Sequence, residues 1–456
     1  MDTGVGERSK TCARPVAAAP MPLLASPPVR VAVVGFGCRV SASEAEAMAA
    51  RLHQRGLAPA GIDDAELVVV HGCAITASAE ADARALTRRV ARRGGAQVIA
   101  SGCWAHADGA AIAAMPGVLD VLDVRDADAA VTRVLAHAGR EPLAPAPVQL
   151  SRRPPLAVLP PVVDARARAL LKVQDGCDYA CSFCIVPQLR GRSRSLPFGA
   201  IAAHVDGLVA AGVPEIVMTG VHLGTWGRDL GERGGVAGLV QRLLPHLGAT
   251  RLRLSSIDPH ELDDALIDLL ARERGRLCRH LHLPVQSCDD GVLTRMRRAH
   301  RTGAFVERVQ RAIDRVPGLA IATDVIAGHP GEDDDAFART HDVLAALPLA
   351  AMHVFPYSPR PGTAAASMPD AVPASTIRVR AAQLRALSQQ QQRRFRAAAI
   401  GTTLDVVSHR APDRDGVLWA MSDHDLRVRL PGDCDAFGQR LRARLHDDGE
   451  AASLVP

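Results

Sequence analysis

The chain has 456 residues, 48% of them hydrophobic but only 3% aromatic, and a formal net charge of +5. Its length exceeds one ordinary core and implies about two or three domains, with Ala, Val, Leu and Ile packed between the layers of an α/β protein. Ten cysteines are too few for a disulfide scaffold and point to reduced thiols in the cytoplasm; no apolar run reaches the ~18 to 20 residues of a membrane helix, and the charge permits nucleic-acid contact without requiring it.

Residues 1–29 carry an apolar patch broken by prolines, which predicts a disordered extension rather than a signal peptide. Over 30–140, strand-like runs (VAVVGFG, ELVVV, AQVIA) alternate with helical patterns (SASEAEAMAARLHQRG, then a long Ala/Arg stretch). This predicts a small doubly wound α/β domain. Cys38, Cys73 and Cys103 each follow one of these strands, where open parallel sheets place ligands. Either they converge on one site or they are three separate buried structural cysteines.

Residues 141–163 are proline-rich without periodicity and read as a linker. Over 164–369, six strand-like runs recur between helical patterns: ALLKVQ, PEIVMTG, TRLRLSSI, HLHLPVQS, LAIATDVIAG and AMHVFPYS. They predict a parallel barrel or partial barrel with its chemistry at the C-terminal strand ends. Residues 370–400 form a helical connection with six arginines and no acidic residue between Ala371 and Ile400. Residues 401–456 hold candidate strands TLDVVSH, GVLWAMS and DLRVRLP of a small β-rich domain.

The sharpest motif is Cys177-x-x-x-Cys181-x-x-Cys184, directly after an apolar strand. Three thiolates on one loop suit three irons of a [4Fe–4S] cluster and leave the fourth iron open to a substrate or cofactor. Structural zinc needs a fourth ligand and usually shows two separated pairs. Lysine is nearly absent, only Lys10 and Lys172 being present, and Lys172 lies just before this loop.

With Phe183 before its last cysteine, the loop resembles the radical S-adenosylmethionine (SAM) superfamily, in which the open iron binds SAM and the reduced cluster splits it to a 5′-deoxyadenosyl radical. LKVQDGCDYACSFCIVPQLRGRSRS, VMTGVHLGTWG, RLRLSSIDP, HLHLPVQS, TDVIAGHPGE and FPYSPRPGTAA resemble the methylthiotransferases, over Val31 to Ala365. The resemblance implies a central radical SAM barrel, a small C-terminal TRAM-like RNA-binding domain, and a second [4Fe–4S] cluster on Cys38, Cys73 and Cys103. It further implies that sulfur at the second cluster is methylated by one SAM while another SAM generates the radical.

Phe183 of the cysteine loop is a candidate SAM contact, and the strand-end residues Gly220, Ser255, Ser256, Gln286, Asp324 and Gly328 are candidate SAM contacts or ordinary turn and cap residues. Lys172 matches a family lysine, with a role either in orienting the loop or in catalysis. Arg190, Arg192 and Arg194, with Arg295, Arg297, Arg298 and Arg301, are candidate contacts to tRNA phosphates, or a solvated charged face. Cys12, Cys278, Cys288 and Cys434 fall outside both cysteine sets.

The branch most resembled acts on N6-threonylcarbamoyladenosine at position 37 of tRNA, beside the anticodon; others act on isopentenyladenosine there or on a ribosomal-protein aspartate. The implied partners are tRNA, a reducing donor such as flavodoxin or ferredoxin, and a sulfur donor, with no membrane. A reading of another class is a nonenzymatic iron–sulfur or zinc protein that binds nucleic acid. Two departures from the family pattern concern the surroundings of the thiols: Ser41 replaces the usual asparagine, and VHGCAIT lacks Asn-Thr before its cysteine. Over 391–456 ten arginines balance ten acidic residues, which is weak for an RNA clamp.

Overall fold

The computed structural model describes residues 28–122, 127–139, 167–431 and 434–455. The extension expected at 1–29, except Pro28 and Val29, the linker expected at 141–163, and Cys12 lie outside the described residues.

The N-terminal domain runs β1 (Arg30–Gly35), α1 (Arg39–Gln54), β2 (Ala58–Pro59), β3 (Leu67–Gly72), α2 (Ala77–Arg93), β4 (Gln97–Gly102), α3 (Cys103–Ala107), α4 (Gly109–Ala113), β5 (Val118–Val121) and α5 (Ala127–His137). Its strands form one parallel sheet in the order β2-β1-β3-β4-β5. The fully buried LVVVHG run takes the centre, as expected of a β-branched strand covered on both faces. Thr76 caps α2, accepting from the Ala79 N–H at 3.2 Å, which satisfies a free first-turn donor.

The central domain comprises β6 (Arg168–Asp175), α6 (Val186–Arg190), β7 (Arg194–Ser195), α7 (Phe198–Ala210), β8 (Glu215–Gly220), α8 (Gly235–Leu243), β9 (Arg251–Leu254), α9 (Asp264–Arg272), β10 (His280–His282), α10 (Asp290–Arg295), α11 (Thr302–Arg315), β11 (Ala320–Ala327), α12 (Asp334–Ala346) and β12 (Ala351–Pro356). Strands β6, β8 and β9 pair in parallel, as do β10, β11 and β12, and a parallel bridge from Ser256 to His282 joins the two sets. The result is an open arc of six parallel strands in chain order, with all six expected runs present. Two are shorter than expected. β9 stops before Ser255, and β10 before Pro284, which has no N–H to continue a ladder.

Alternation along each strand sorts the side chains. Leu171, Val173, Ile216, Met218, Leu252, Leu254, Leu281 and Ile321 join the core beneath the helices. Their neighbours Lys172, Glu215, Thr219, Arg253, His282 and Asp324 turn to the lumen.

Helix α13 (Ala374–Ala399) then runs down the outside of β12. It leads to β13 (Thr403–Ser408), β14 (Trp419–Ser422), β15 (Arg427–Arg429), β16 (Arg440–Leu445) and β17 (Ala452–Leu454), an antiparallel sheet in the order β15-β14-β13-β16-β17. The sequence reading singled out three of these strands. In β16, RLRARL alternates arginine with leucine and alanine, and its period of two was masked by charge.

The small domain is bolted to the base of the barrel. Buried Glu215 accepts from Arg251 Nε and Arg253 Nε at 2.7 Å each, with Arg168 at 3.7 Å. The same two arginines donate to the carbonyls of Asp405, Met421 and Ser422 at 2.7 to 2.9 Å. Coulombic attraction outweighs burial and holds the Glu215 carboxyl well below the usual carboxylate range. Among the described residues no helix is long and apolar enough to cross a membrane.

Candidate active site

Cys177, Cys181 and Cys184 lie on the loop between β6 and α6, at the C-terminal end of the first barrel strand, all half-buried. The loop is tied down from several sides. Gln174 donates to the carbonyls of Asp175 and Gly176 at 3.1 and 2.8 Å and accepts the His222 N–H at 2.7 Å. Gly176 has φ +73°, and a Cβ there would lie 2.1 Å from the Arg192 carbonyl oxygen, so only glycine permits this approach. Ser182 N donates to Met296 O at 3.0 Å, and its hydroxyl meets His329 Nε2 at 3.0 Å.

Two sulfurs have polar side-chain neighbours. His222 Nδ1 lies 3.3 Å from Cys177 Sγ while its Nε2 meets Glu261 at 2.8 Å. Burial lowers the proton affinity of this imidazole, but the Cys177 and Glu261 contacts prevail and raise its pKa to about 9. Arg298 donates to Cys181 Sγ at 3.6 Å and to Pro284 O at 2.8 Å, and forms an ion pair with Asp258. At Cys184, burial outweighs a hydrogen bond from the Val186 backbone N–H and pushes the thiol up to about 12.

Cys38, Cys73 and Cys103 follow β1, β3 and β4, and their thiols converge. Cys38 is exposed, and the hydrogen bond from the Cys73 thiol, helped by the Arg190 charge, lowers its pKa to about 6. Arg190 Nε donates to Cys103 Sγ at 3.1 Å. Glycine precedes the first cysteine of the loop and all three of these: Gly176, Gly37, Gly72 and Gly102. At Gly102, with φ +93°, a Cβ would lie 2.3 Å from Gly72 O. This repeated Gly-Cys pair at strand ends was a readable signal that the sequence reading passed over.

The two thiol sets meet at one seam. Ile185 and Leu189, just after the Cys177–Cys184 loop, pack in the N-terminal core with Ala74, Cys103 and Trp104. Soft thiolate triads with hydrogen-bond donors at their sulfurs are the donor set of iron–sulfur clusters.

Of the expected SAM contacts, Phe183 meets His329 edge-on, with ring centroids 6.4 Å apart. Gly220 abuts Gln174, and Gly328, at φ +85°, abuts Ile377 of α13. Gln286, four residues beyond β10 and in an isolated bridge to Val325, adopts φ +70°, a strained setting for a residue with a Cβ. Ser255 Oγ is buried with no hydrogen-bond partner among the described residues, whereas Ser256 Oγ lies 2.6 Å from His282 Nδ1. Asp324 Oδ1 is shared by His282 Nε2 at 2.9 Å and His353 Nδ1 at 3.0 Å. Burial opposes ionisation of Asp324, but the two imidazoles hold its pKa at about 2. Ser256, just beyond β9, thus forms a polar chain with His282, Asp324 and His353 of β10, β11 and β12.

Two expected phosphate contacts need correction. Arg190 is 3% exposed and is spent on Glu44, Asp175 and Cys103. Arg298 is spent on Asp258 and Cys181. Neither can reach an external phosphate. Arg194 is half-buried beside Asp175 at 3.5 Å. Arg192, Arg295, Arg297 and Arg301 remain exposed. Lys172 is buried, with Nζ 2.6 Å from Glu44 and 3.4 Å from Asp175. Cys278 lies against Glu215, Cys288 in the central core and Cys434 in the small domain's core, apart from both triads.

The radical SAM superfamily matches residues 171–344 and the uncharacterized protein family UPF0004 matches residues 30–122. The threonylcarbamoyladenosine tRNA methylthiotransferase MtaB of Bacillus subtilis is 31% identical over 91% of this chain and 93% of its own length. The tRNA-2-methylthio-N(6)-dimethylallyladenosine synthase of Sphingopyxis alaskensis is 34% identical over 91% of this chain and 95% of its own. The chain belongs to the radical SAM methylthiotransferases. As a member of this family it is an enzyme that transfers a methylthio group and uses SAM and [4Fe–4S] clusters. The radical SAM methyltransferase TsrM of Kitasatospora setae, solved with cobalamin and a [4Fe–4S] cluster, shares the fold. Its TM-score is 0.53 at 15% identity, over 75% of this chain and 77% of that one.

Proposed function

We propose that this methylthiotransferase replaces the C2 hydrogen of N6-threonylcarbamoyladenosine with a methylthio group, in tRNA beside the anticodon and in the cytoplasm. Cys177, Cys181 and Cys184 hold the cluster that binds SAM, and Cys38, Cys73 and Cys103 hold the second. When bound, these groups supply the hydrogen-abstracting radical and the sulfur to be transferred. The chain's own part is placement: Gln174 and Gly176 shape the first loop, and Arg298 and His222 donate toward its sulfurs. A donor of the flavodoxin or ferredoxin kind supplies electrons, and a separate donor renews the sulfur.

The observation that carries the choice of substrate is the polar lumen. A dimethylallyl group needs an apolar slot, whereas a threonylcarbamoyl group brings a carboxylate, a hydroxyl and amides that must find partners when buried. Ser256, His282, Asp324 and His353 supply a continuous polar chain here, and the buried Ser255 Oγ has no hydrogen-bond partner among the described residues. His353 adds an imidazole whose hydrogen bond to Asp324 raises its proton affinity, a donor suited to a carboxylate. The test is mass spectrometry of tRNA nucleosides from cells with and without the gene. Loss of 2-methylthio-N6-threonylcarbamoyladenosine, restored by the intact gene, is expected. Loss of the 2-methylthio-isopentenyl nucleoside instead would overturn the assignment.

For the tRNA backbone, the supporting surface is α13. Arg378, Arg385, Arg393 and Arg394 are exposed on it, over about 24 Å of helix at 1.5 Å per residue. Its first turn rests on the barrel rim, where Ile377 abuts Gly328. Reversing these four charges to glutamate is expected to weaken tRNA binding at least about tenfold and to cut the salt slope by roughly three. Filter binding across a salt series measures both, and an unchanged slope would remove α13 from the interface.

A further inference from the structure

Arg190 lies on α6, and its guanidinium is buried across the seam between the two domains. Nη1 and Nη2 grip Glu44 Oε1 and Oε2 at 2.8 Å each, Nη1 also reaches Asp175 Oδ1 at 3.0 Å, and Nε meets Cys103 Sγ at 3.1 Å. Glu44 extends the network. Lys172 donates to its Oε1 at 2.6 Å and His71 Nε2 lies 3.2 Å from its Oε2, while His71 Nδ1 lies 3.3 Å from Ser101 Oγ.

The places of these residues in the chain give the network its meaning. Glu44 is on α1, the helix that begins after Cys38; His71 is two residues before Cys73, Ser101 two before Cys103, and Asp175 two before Cys177. One buried set of hydrogen bonds therefore touches all four chain segments that present the two thiol triads. Burying this much charge has a high desolvation cost, and an apolar seam would hold two domains together as well. What the ionic set adds is direction, because a guanidinium fork bonds a carboxylate in one plane and one register.

We propose that Arg190 is a positioning residue that sets the two cluster sites in register and, through its N–H to the Cys103 sulfur, raises the reduction potential of the second cluster. A hydrogen bond to a ligating sulfur withdraws electron density from it, which favours the reduced cluster. The register matters because radical formation and sulfur delivery must meet on one substrate carbon, and a misplacement of ~1 Å can cost on the order of 100-fold. The inference rests on the two-cluster reading above.

The test is Arg190→Lys, which keeps the charge but loses the fork, in two backgrounds. In protein with Cys177, Cys181 and Cys184 all replaced by alanine, only the second cluster can load, and redox titration followed by electron paramagnetic resonance is expected to show a lower potential in Arg190→Lys. In the otherwise intact holoenzyme, methylthio product per SAM cleaved is expected to fall at least about tenfold. Glu44→Gln, which keeps the shape and removes the charge that anchors the guanidinium, should lower the product ratio in the same way and covers the case in which Arg190→Lys fails to load iron. An unchanged potential and an unchanged product ratio in an iron-replete variant would overturn the proposal. If the triple-alanine parent with Arg190 intact loads no cluster, the two-cluster reading fails first, and the proposal with it.

Discussion

Cys181→Ala is expected to abolish SAM cleavage, whereas Cys73→Ala retains some cleavage and forms no methylthio product. The asymmetry follows from where the thiols sit. Cys181 shares one loop with Cys177 and Cys184, and with only two thiols left that loop cannot present an open iron to SAM. Cys73 belongs to the other triad, at the end of β3 in the N-terminal sheet, so its loss leaves the Cys177–Cys184 loop intact. The measurements are 5′-deoxyadenosine release by the reduced protein and methylthio nucleoside by mass spectrometry, on the same preparations. Full cleavage by Cys181→Ala would sink the assignment of that loop.

Glu215→Ala is expected to destabilise the protein by about 3 to 5 kcal/mol, the usual effect of removing one member of a buried ionic group. Arg251 and Arg253 are fully buried, and without Glu215 two guanidinium groups would face each other at the base of the barrel. Because the same arginines hold the carbonyls of Asp405, Met421 and Ser422, undocking of the small domain should precede global unfolding. Limited proteolysis should then cut between α13 and β13 in the variant and spare the parent. The pH dependence has a definite sign. The folded carboxyl is held below its ordinary range, so its contribution is complete above the unfolded carboxylate pKa, near 4.3, and is lost as pH falls toward the folded value. Glu215→Ala should therefore flatten the acid limb of the stability curve. Equal urea midpoints for parent and variant at pH 7 would show that the arginines do not need this partner.

The layer order was legible because its signals are local. A strand such as LVVVHG or a helix such as ASAEADARALTRRVARR is defined by a period of two or 3.6 over one window, and the cysteine loop by spacing within eight residues. The resemblance then placed the three scattered cysteines together, and the parallel sheet does bring their strand ends to one edge. Arg190 and Arg298 were misread for a definite reason. An arginine inside RGRSR or RMRRAHR reads as surface, and only the carboxylates that fold onto it, Glu44 and Asp258, take it inside. His222 went unnoticed because nothing beside it in sequence marks it; it meets Cys177, 45 residues away, only through the barrel's curvature.

The order of residues thus already contained the elements, the donor atoms and the class of chemistry, because helix periods, strand periods and thiol spacing act over a few residues. The arrangement of those donors came only with the fold. Arg190 and Glu44 stand 146 residues apart, and Arg251 and Asp405 stand 154 apart. The energy of a buried charge depends on which partner arrives within about 3 Å, and that distance exists only once the domains have packed.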